Sequence, residues 1–164
     1  TLIKKNILSA HSILSENLLS EARYRGNIRD KDVYIFAGGK NVYKGASKEI
    51  VIDEMNLFYK DLSILIEREM TMNEIFYYAA FIHLVFVKIH PFADGNGRMA
   101  RLLEKWFLVQ KLGKKAWFIE SEKLYQGRLR SYYTKMAIGH SYEKTNYDLS
   151  LPFLLLLPMS LTAR

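Results

Sequence analysis

His90-Pro-Phe-Ala-Asp94-Gly-Asn-Gly-Arg98-Met-Ala-Arg101 reads as the end of one helix, a glycine-rich loop and the start of a second helix. Before it, Ile75, Ala79, Ile82, Phe86 and Ile89 recur at helical spacing, and a proline just past His90 stops such a pattern because it lacks an N–H and clashes with the preceding turn. Asp94-Gly-Asn-Gly97 is a turn signal. After it, Leu102, Leu103, Trp106 and Phe107 mark a helix that stops near Gly113.

The chemistry of this stretch follows from its residue types. Glycines let backbone N–H groups approach a ligand closely. The N-terminus of the following helix adds unpaired donors and the positive end of a dipole. Together they form an anion cradle suited to phosphates. Arg98 and Arg101 are three apart and share a helix face, where two guanidinium forks suit a polyphosphate. Asp94 offers a hard oxygen for Mg²⁺, and His90 accepts a proton near neutral pH. Singly, each residue has an ordinary reading as a turn, a helix cap or a solvated face. In this order they are the parts that phosphoryl-type transfer requires.

The stretch resembles the active-site motif of the Fic family, His-Pro-Phe-x-(Asp/Glu)-Gly-Asn-Gly-Arg-x-x-Arg, at every specified position: His90, Pro91, Phe92, Asp94, Gly95, Asn96, Gly97, Arg98 and Arg101. The resemblance implies that His90 is the general base on a target hydroxyl and that Asp94 holds Mg²⁺. It implies that Gly95, Asn96 and Gly97 form the anion hole, that Arg98 contacts the phosphates and that Arg101 meets the γ-phosphate. Pro91 and Phe92 are then structural, Phe92 anchoring the loop in the core. In the phage Doc kinases, one branch of that family, a lysine stands at the Gly97 position and the γ-phosphate is transferred, so Gly97 implies adenylylation here. The hairpin expected around Gly38-Gly39 resembles the family's flap, which aligns a target by strand addition. Tyr125, Tyr132 and Tyr133 resemble tyrosines that line an adenine pocket, although packing at helical spacing explains them equally well.

A second motif lies nearer the start. Ser12-Ile-Leu-Ser-Glu16-Asn17 fits the (Ser/Thr)-x-x-x-Glu-(Gly/Asn) pattern of self-inhibited Fic proteins. Ser12 and Glu16 are four apart, hence on one face of a helix expected over 1–26. The resemblance implies that Glu16 pairs with Arg101 and blocks productive ATP binding.

Outward from these motifs, Thr71-Met-Asn-Glu74 has capping-box spacing. Ser47 is expected to cap a helix striped by Val51, Met55, Phe58, Leu62 and Leu65, and Ser121 one that runs to about Gly139. Val33 to Tyr43 reads as two β-prone pieces around a glycine turn. His83 reads as a packing or surface histidine. The expected architecture is mainly α-helical, a Fic-type helical bundle with a small β-hairpin flap. It forms a single domain over 1–164, with an inhibitory helix at 1–26, the flap at 33–43, a catalytic core at 72–138 and a C-terminal helix at 148–164.

The 164 residues are nearly half hydrophobic and include no cysteine, which excludes disulfides, thiol nucleophiles and thiolate metal sites. Leu2 to Leu8 is interrupted by Lys4, Lys5 and Asn6 and does not read as a signal peptide. The longest apolar run, 151–157, is too short to cross a bilayer. A cytoplasmic setting without membrane partners is expected. The net charge of +7 raises a different class of function, a non-catalytic helical nucleic-acid-binding domain, but the chain lacks a basic recognition helix. The expected function is protein adenylyltransfer: AMP passes from ATP, with Mg²⁺ as cofactor, to a hydroxyl of an unknown protein target, under restraint by Glu16. AMP removal and another nucleotide or diphosphate donor are the alternatives, and a homo-oligomer is left open.

Overall fold

Two long helices joined by the motif loop form the centre of the molecule. In the computed structural model, which describes residues 1–162, α3 runs from Met72 to Ile89 and α4 from Asn96 to Leu112. They make the most extensive helix–helix contact in the protein. α3 starts at a complete capping box: Thr71 Oγ1 accepts from the Glu74 N–H, and the Glu74 carboxylate accepts from the Thr71 N–H at 2.8 Å. Buried side chains surround α3 on most of its circumference, including Ile75, Ala79, Ile82, Leu84, Phe86 and Ile89. α3 is long and apolar enough to cross a membrane, but most of it lies inside the fold, as a core helix does.

Three layers cover this pair. α2, Val51–Glu67, buries Val51, Met55, Phe58 and Leu62 against it, a helical stripe. α1, Lys4–Leu14, packs on α4 through Ile7 and His11. On a third side lie α5 (Ser121–Gly127), α6 (Leu129–Met136), α7 (Leu151–Leu154) and α8 (Leu156–Met159). Their Leu124, Tyr132, Phe153 and Leu157 complete the core with Phe86, Phe92, Phe107 and Leu103.

A two-stranded antiparallel hairpin projects from this body. β1, Tyr34–Ala37, pairs with β2, Lys40–Lys44, with a register irregularity at Ile35/Phe36. Gly38 and Gly39, at φ 56° and 77°, supply the two positive-φ residues that a tight hairpin turn requires. The base of the hairpin is tied down where Lys44 N–H donates to the His140 carbonyl and Ala46 N–H to that of Ile89. The mainly helical bundle with a small hairpin agrees with the sequence reading.

Four expectations about elements are corrected. α1 ends at Leu14 rather than continuing toward residue 26, because the Ser15 hydroxyl bonds back to the His11 carbonyl at 2.7 Å and the chain turns. Ile50, not Ser47, is the residue that precedes α2. The helix expected from 121 to 139 breaks at Arg128, just after Gly127, a residue that costs about 1 kcal/mol in a helix interior. The C-terminal segment expected at 148–164 forms two short helical turns, since Pro158 lacks the N–H that would continue the first. Residues 163–164 of that expectation lie outside the described residues.

Candidate active site

His90 closes α3 in the left-handed conformation, φ 55° and ψ 58°, the one non-glycine residue at positive φ among those described. Such a conformation costs about 1–2 kcal/mol in an L-residue, so the surroundings must hold it. Arg29 does so. It is 4% exposed, and its Nε donates to the His90 carbonyl at 2.7 Å. Its Nη1 donates to the Lys31 carbonyl at 2.6 Å and its Nη2 to the carbonyls of Ala46 and Ile89. The Arg29 N–H also donates to the Pro91 carbonyl at 3.0 Å. One guanidinium thus collars the carbonyl end of α3, where a positive charge is favoured by the helix dipole.

The tautomer of His90 follows from its partner. Nδ1 lies 3.1 Å from the Val87 carbonyl, which only accepts, so Nδ1 carries the proton and Nε2 presents its lone pair. Among the described residues Nε2 has no partner. Burial pushes the His90 pKa down to about 4, with Arg29 and Lys88 acting in the same direction and the Val87 bond and Asp94 opposing. His90 is therefore a neutral acceptor at pH 7. An anionic phosphate chain brought beside it raises that pKa toward the working pH.

The loop from Pro91 to Gly95 is built around Phe92, which is fully buried. The Asn96 side chain clamps it: Oδ1 accepts from the Phe92 N–H at 2.9 Å, and Nδ2 donates to the Phe92 carbonyl at 2.8 Å. The Asn96 amide is thereby engaged by the loop, and its backbone N–H remains for a ligand. At the start of α4 the N–H groups of Asn96, Gly97 and Arg98 have no acceptor among the described residues, and the helical ladder begins at Met99 N–H to the Gly95 carbonyl. Three unpaired donors at the N-terminus of a 17-residue helix make an anion cradle. Arg98 is exposed beside it and Arg101 half-buried. A Cβ placed on Gly97 would stand 3.5 Å from Arg101 Nη1, which puts that guanidinium next to the cradle.

Asp94 is exposed. Its Oδ1 accepts from the Gly95 N–H at 2.6 Å, leaving Oδ2 without a protein donor among the described residues. No group of three or more His, Cys, Asp or Glu side chains converges among those residues. One carboxylate beside free N–H donors fits a Mg²⁺ ion held mainly by substrate phosphates, the usual arrangement for that ion.

α1 meets this loop differently from the expectation. Glu16 lies beyond the end of α1, exposed, and pairs with neither Arg98 nor Arg101. Ser12 is half-buried beside Gly26. The inhibitory Ser12–Glu16 helix is therefore corrected: the helix stops before Glu16, so the four-residue spacing no longer defines a face. The face of α1 turned to the loop carries His11 instead. Its ring stacks on Phe92, centroids 3.5 Å apart and planes 6° apart. Its Nε2 lies 2.9 Å from the Asp94 carbonyl and its Nδ1 accepts from the Gly26 N–H at 2.9 Å.

The three tyrosines divide. Tyr125 and Tyr132 are each 3% exposed and belong to a polar network behind Arg101. Glu104 Oε2 accepts from Tyr125 Oη at 2.8 Å and from His83 Nδ1 at 2.7 Å, and His83 Nε2 lies 2.8 Å from Tyr132 Oη. Burial raises the Tyr132 pKa, and Arg101 opposes that rise. The adenine-pocket expectation is corrected for these two, whose hydroxyls are consumed in the core. Tyr133, 59% exposed, has an open ring. His83 is fully buried, a packing histidine with a hydrogen-bonding task.

Sequence reasoning missed Arg29, His11, Glu104 and Lys88. Lys88 is buried at the hairpin base with its Nζ 4.3 Å from the Tyr43 ring centroid, and burial pushes its pKa down to about 8. A charged residue inside the apolar Leu103–Leu108 stripe was a usable signal for Glu104. Arg29 and His11 carry none.

The description "Fic/DOC family" belongs to the family model that matches residues 1–108. Among solved structures, a Fic family protein from Desulfovibrio desulfuricans G20 is 25% identical with a TM-score of 0.74, the alignment covering 98% of this chain and 46% of that one. A Fic domain containing signaling protein from Bacteroides thetaiotaomicron VPI-5482 is 22% identical with a TM-score of 0.66, covering 98% and 61%. The chain thus spans between about half and three-fifths of the length of these proteins. No curated protein matches it.

Proposed function

The chain belongs to the Fic/DOC family, whose domains generally transfer AMP or other nucleotide groups onto proteins, and we propose that it transfers AMP from ATP to a hydroxyl side chain of a protein target. The observation that carries this reading is the juxtaposition of three unpaired N–H groups at the start of α4 with a neutral His90 whose Nε2 is free. The target oxygen attacks the α-phosphorus, its proton passes to His90 Nε2, and the bond to pyrophosphate breaks. The Asn96, Gly97 and Arg98 N–H groups receive the α- and β-phosphates, with charge stabilised by donors oriented before the ligand arrives. Arg98 and Arg101 neutralise the remaining phosphate charge. Asp94 would hold Mg²⁺, which supplies charge neutralisation between phosphate oxygens. The exposed outer edge of β1 offers backbone groups for strand addition by the target.

A second reading, transfer from another nucleotide or diphosphate donor, is favoured by one observation. The phosphate end has several donors, whereas of the three tyrosines only Tyr133 remains open for a base.

The experiment is intact-mass analysis of the protein and of lysate partners after incubation with ATP and Mg²⁺. Wild type is expected to add one AMP, and His90→Ala to lose transfer by about a hundred- to ten-thousand-fold while retaining ATP binding. Transfer at the wild-type rate by His90→Ala would sink the base assignment. A mass gain of one phosphate would overturn adenylyl transfer.

A further inference from the structure

Resting on the phosphate-cradle reading above, we propose that His11 is a positioning residue: it fixes the Asp94–Gly95 peptide in the orientation that keeps the cradle made of N–H groups. His11 lies 83 residues from its partner Asp94 and is fully buried. Both nitrogens of its ring are assigned by their neighbours. The Gly26 N–H donates to Nδ1, so Nδ1 holds the lone pair. Nε2 therefore carries the proton and donates to the Asp94 carbonyl. The ring face lies flat on Phe92. One side chain thus holds the loop by a face and by an edge, and is itself held by Gly26.

The loop needs such a hold at this peptide. Gly95 sits at φ 79°, and glycine populates positive and negative φ about equally, so residue 95 does not select its own conformation; the Asp94 carboxylate holds the N–H side of this peptide, and His11 holds its carbonyl side. A rotation of the Asp94–Gly95 peptide would turn the Asp94 carbonyl oxygen out of its present place and let it face the phosphates. A Cβ on Gly95 would stand 3.3 Å from His11 Nε2, so the imidazole packs directly against this peptide. The Nε2–H accepts only one of the two orientations, the one with the carbonyl turned toward α1. A single neutral hydrogen bond of ordinary strength biases such an equilibrium about five- to tenfold.

Two variants separate this role from simple anchoring of α1. His11→Gln places an amide nitrogen where Nε2 stood, keeping the donor to Asp94 and losing the acceptor for Gly26. His11→Asn places an oxygen where Nδ1 stood, keeping the Gly26 bond and losing the donor to Asp94. Both lose the stacked ring. The measurements are the affinity for α,β-methylene-ATP with Mg²⁺ by calorimetry, and amide hydrogen exchange over residues 90–99 without nucleotide. The glutamine variant is expected to stay within about twofold of wild type in affinity, and the asparagine variant to bind about five- to tenfold more weakly, with faster exchange confined to 94–99. Equal affinity and equal exchange in the two variants, or a weaker glutamine variant, overturns the proposal. If the asparagine variant does not fold, 4-thiazolylalanine at position 11 keeps the ring and the Nδ1 acceptor without the donor, and the same loss is expected. If wild type binds no nucleotide, the phosphate reading itself fails, and the exchange comparison alone decides the role of His11.

Discussion

Arg29→Met tests whether the strained end of α3 is held from outside. The substitution keeps an apolar stem of similar length and removes the donors that serve the carbonyls of His90, Lys31, Ala46 and Ile89. The bonds to His90 and Lys31 are part-buried, so water replaces much of what is lost there. The Ala46 and Ile89 bonds are buried; the Ile89 carbonyl keeps the Ala46 N–H, whereas the Ala46 carbonyl is left unpaired, at a cost of about 1–3 kcal/mol. Relief of the guanidinium's own desolvation offsets part of this, since burial already lowers the Arg29 pKa. The net expectation is a loss of about 2 kcal/mol, which for a domain of this size lowers Tm by roughly 4–8 °C. His90, freed from its carbonyl anchor, relaxes from the left-handed conformation, so the transfer rate falls further than stability alone explains. Arg29→Lys keeps the charge but cannot reach several carbonyls from one ammonium, and is expected to recover stability in part and rate hardly at all. Thermal melts followed by circular dichroism, with single-turnover transfer on the folded fraction, give both quantities. A methionine variant that melts within about 2 °C of wild type and transfers at its rate refutes the collar.

Other outcomes follow from the same geometry. Glu16→Gly leaves the transfer rate within about twofold of wild type, as changes at unpaired surface charges do; a large activation in the intact-mass assay would reinstate inhibition. Stability falls as pH drops from about 6.5 toward 4. His90 has a folded pKa lowered to about 4, so the unfolded chain binds its proton first and the stabilisation present above pH 6.5 is lost on acidification, by at most about 3 kcal/mol. Urea midpoints at pH 7 and pH 4.5 should show a smaller difference for His90→Asn than for wild type. Tyr132→Phe breaks its bond to His83 and costs about 1 kcal/mol, whereas Tyr133→Ala leaves Tm unchanged; melting the two variants side by side checks that only the first ring is part of the core.

The parts of the site that were legible in the sequence are those whose partners are close in the chain. The loop, its glycines, the free N–H groups of α4 and the Thr71–Glu74 capping box are fixed by residues within a few positions of one another. Arg29 bonds to groups 17, 60 and 61 residues away, and no periodicity marks a residue whose task is to collar another helix's end. Glu16 was misread for the converse reason. A spacing of four means a shared face only while the helix continues, and Ser15 ends it by bonding to His11. The tyrosines were open to both readings because an aromatic at helical spacing is equally a pocket wall or a core residue. The choice is made by Glu104 and His83, on two other helices, which consume the hydroxyls of Tyr125 and Tyr132.

A cradle of backbone donors stabilises developing charge only to the extent that it need not reorganise when the charge appears. Two features of this loop work against such rigidity. Gly95 has little conformational preference of its own, and His90 sits in a conformation that its own backbone disfavours. Within the motif, Asn96 secures Phe92 and Asp94 Oδ1 ties the Gly95 N–H, which leaves the carbonyls of Asp94 and His90 to be held from outside. The corrections come from the first 29 residues, as a neutral imidazole on one carbonyl and a guanidinium around four others. Burying polar side chains is costly unless each finds its partners, and both of these do. The segment before the hairpin is therefore a structural half of the active site, since the geometry of His90 and Gly95 depends on residues that the motif does not contain.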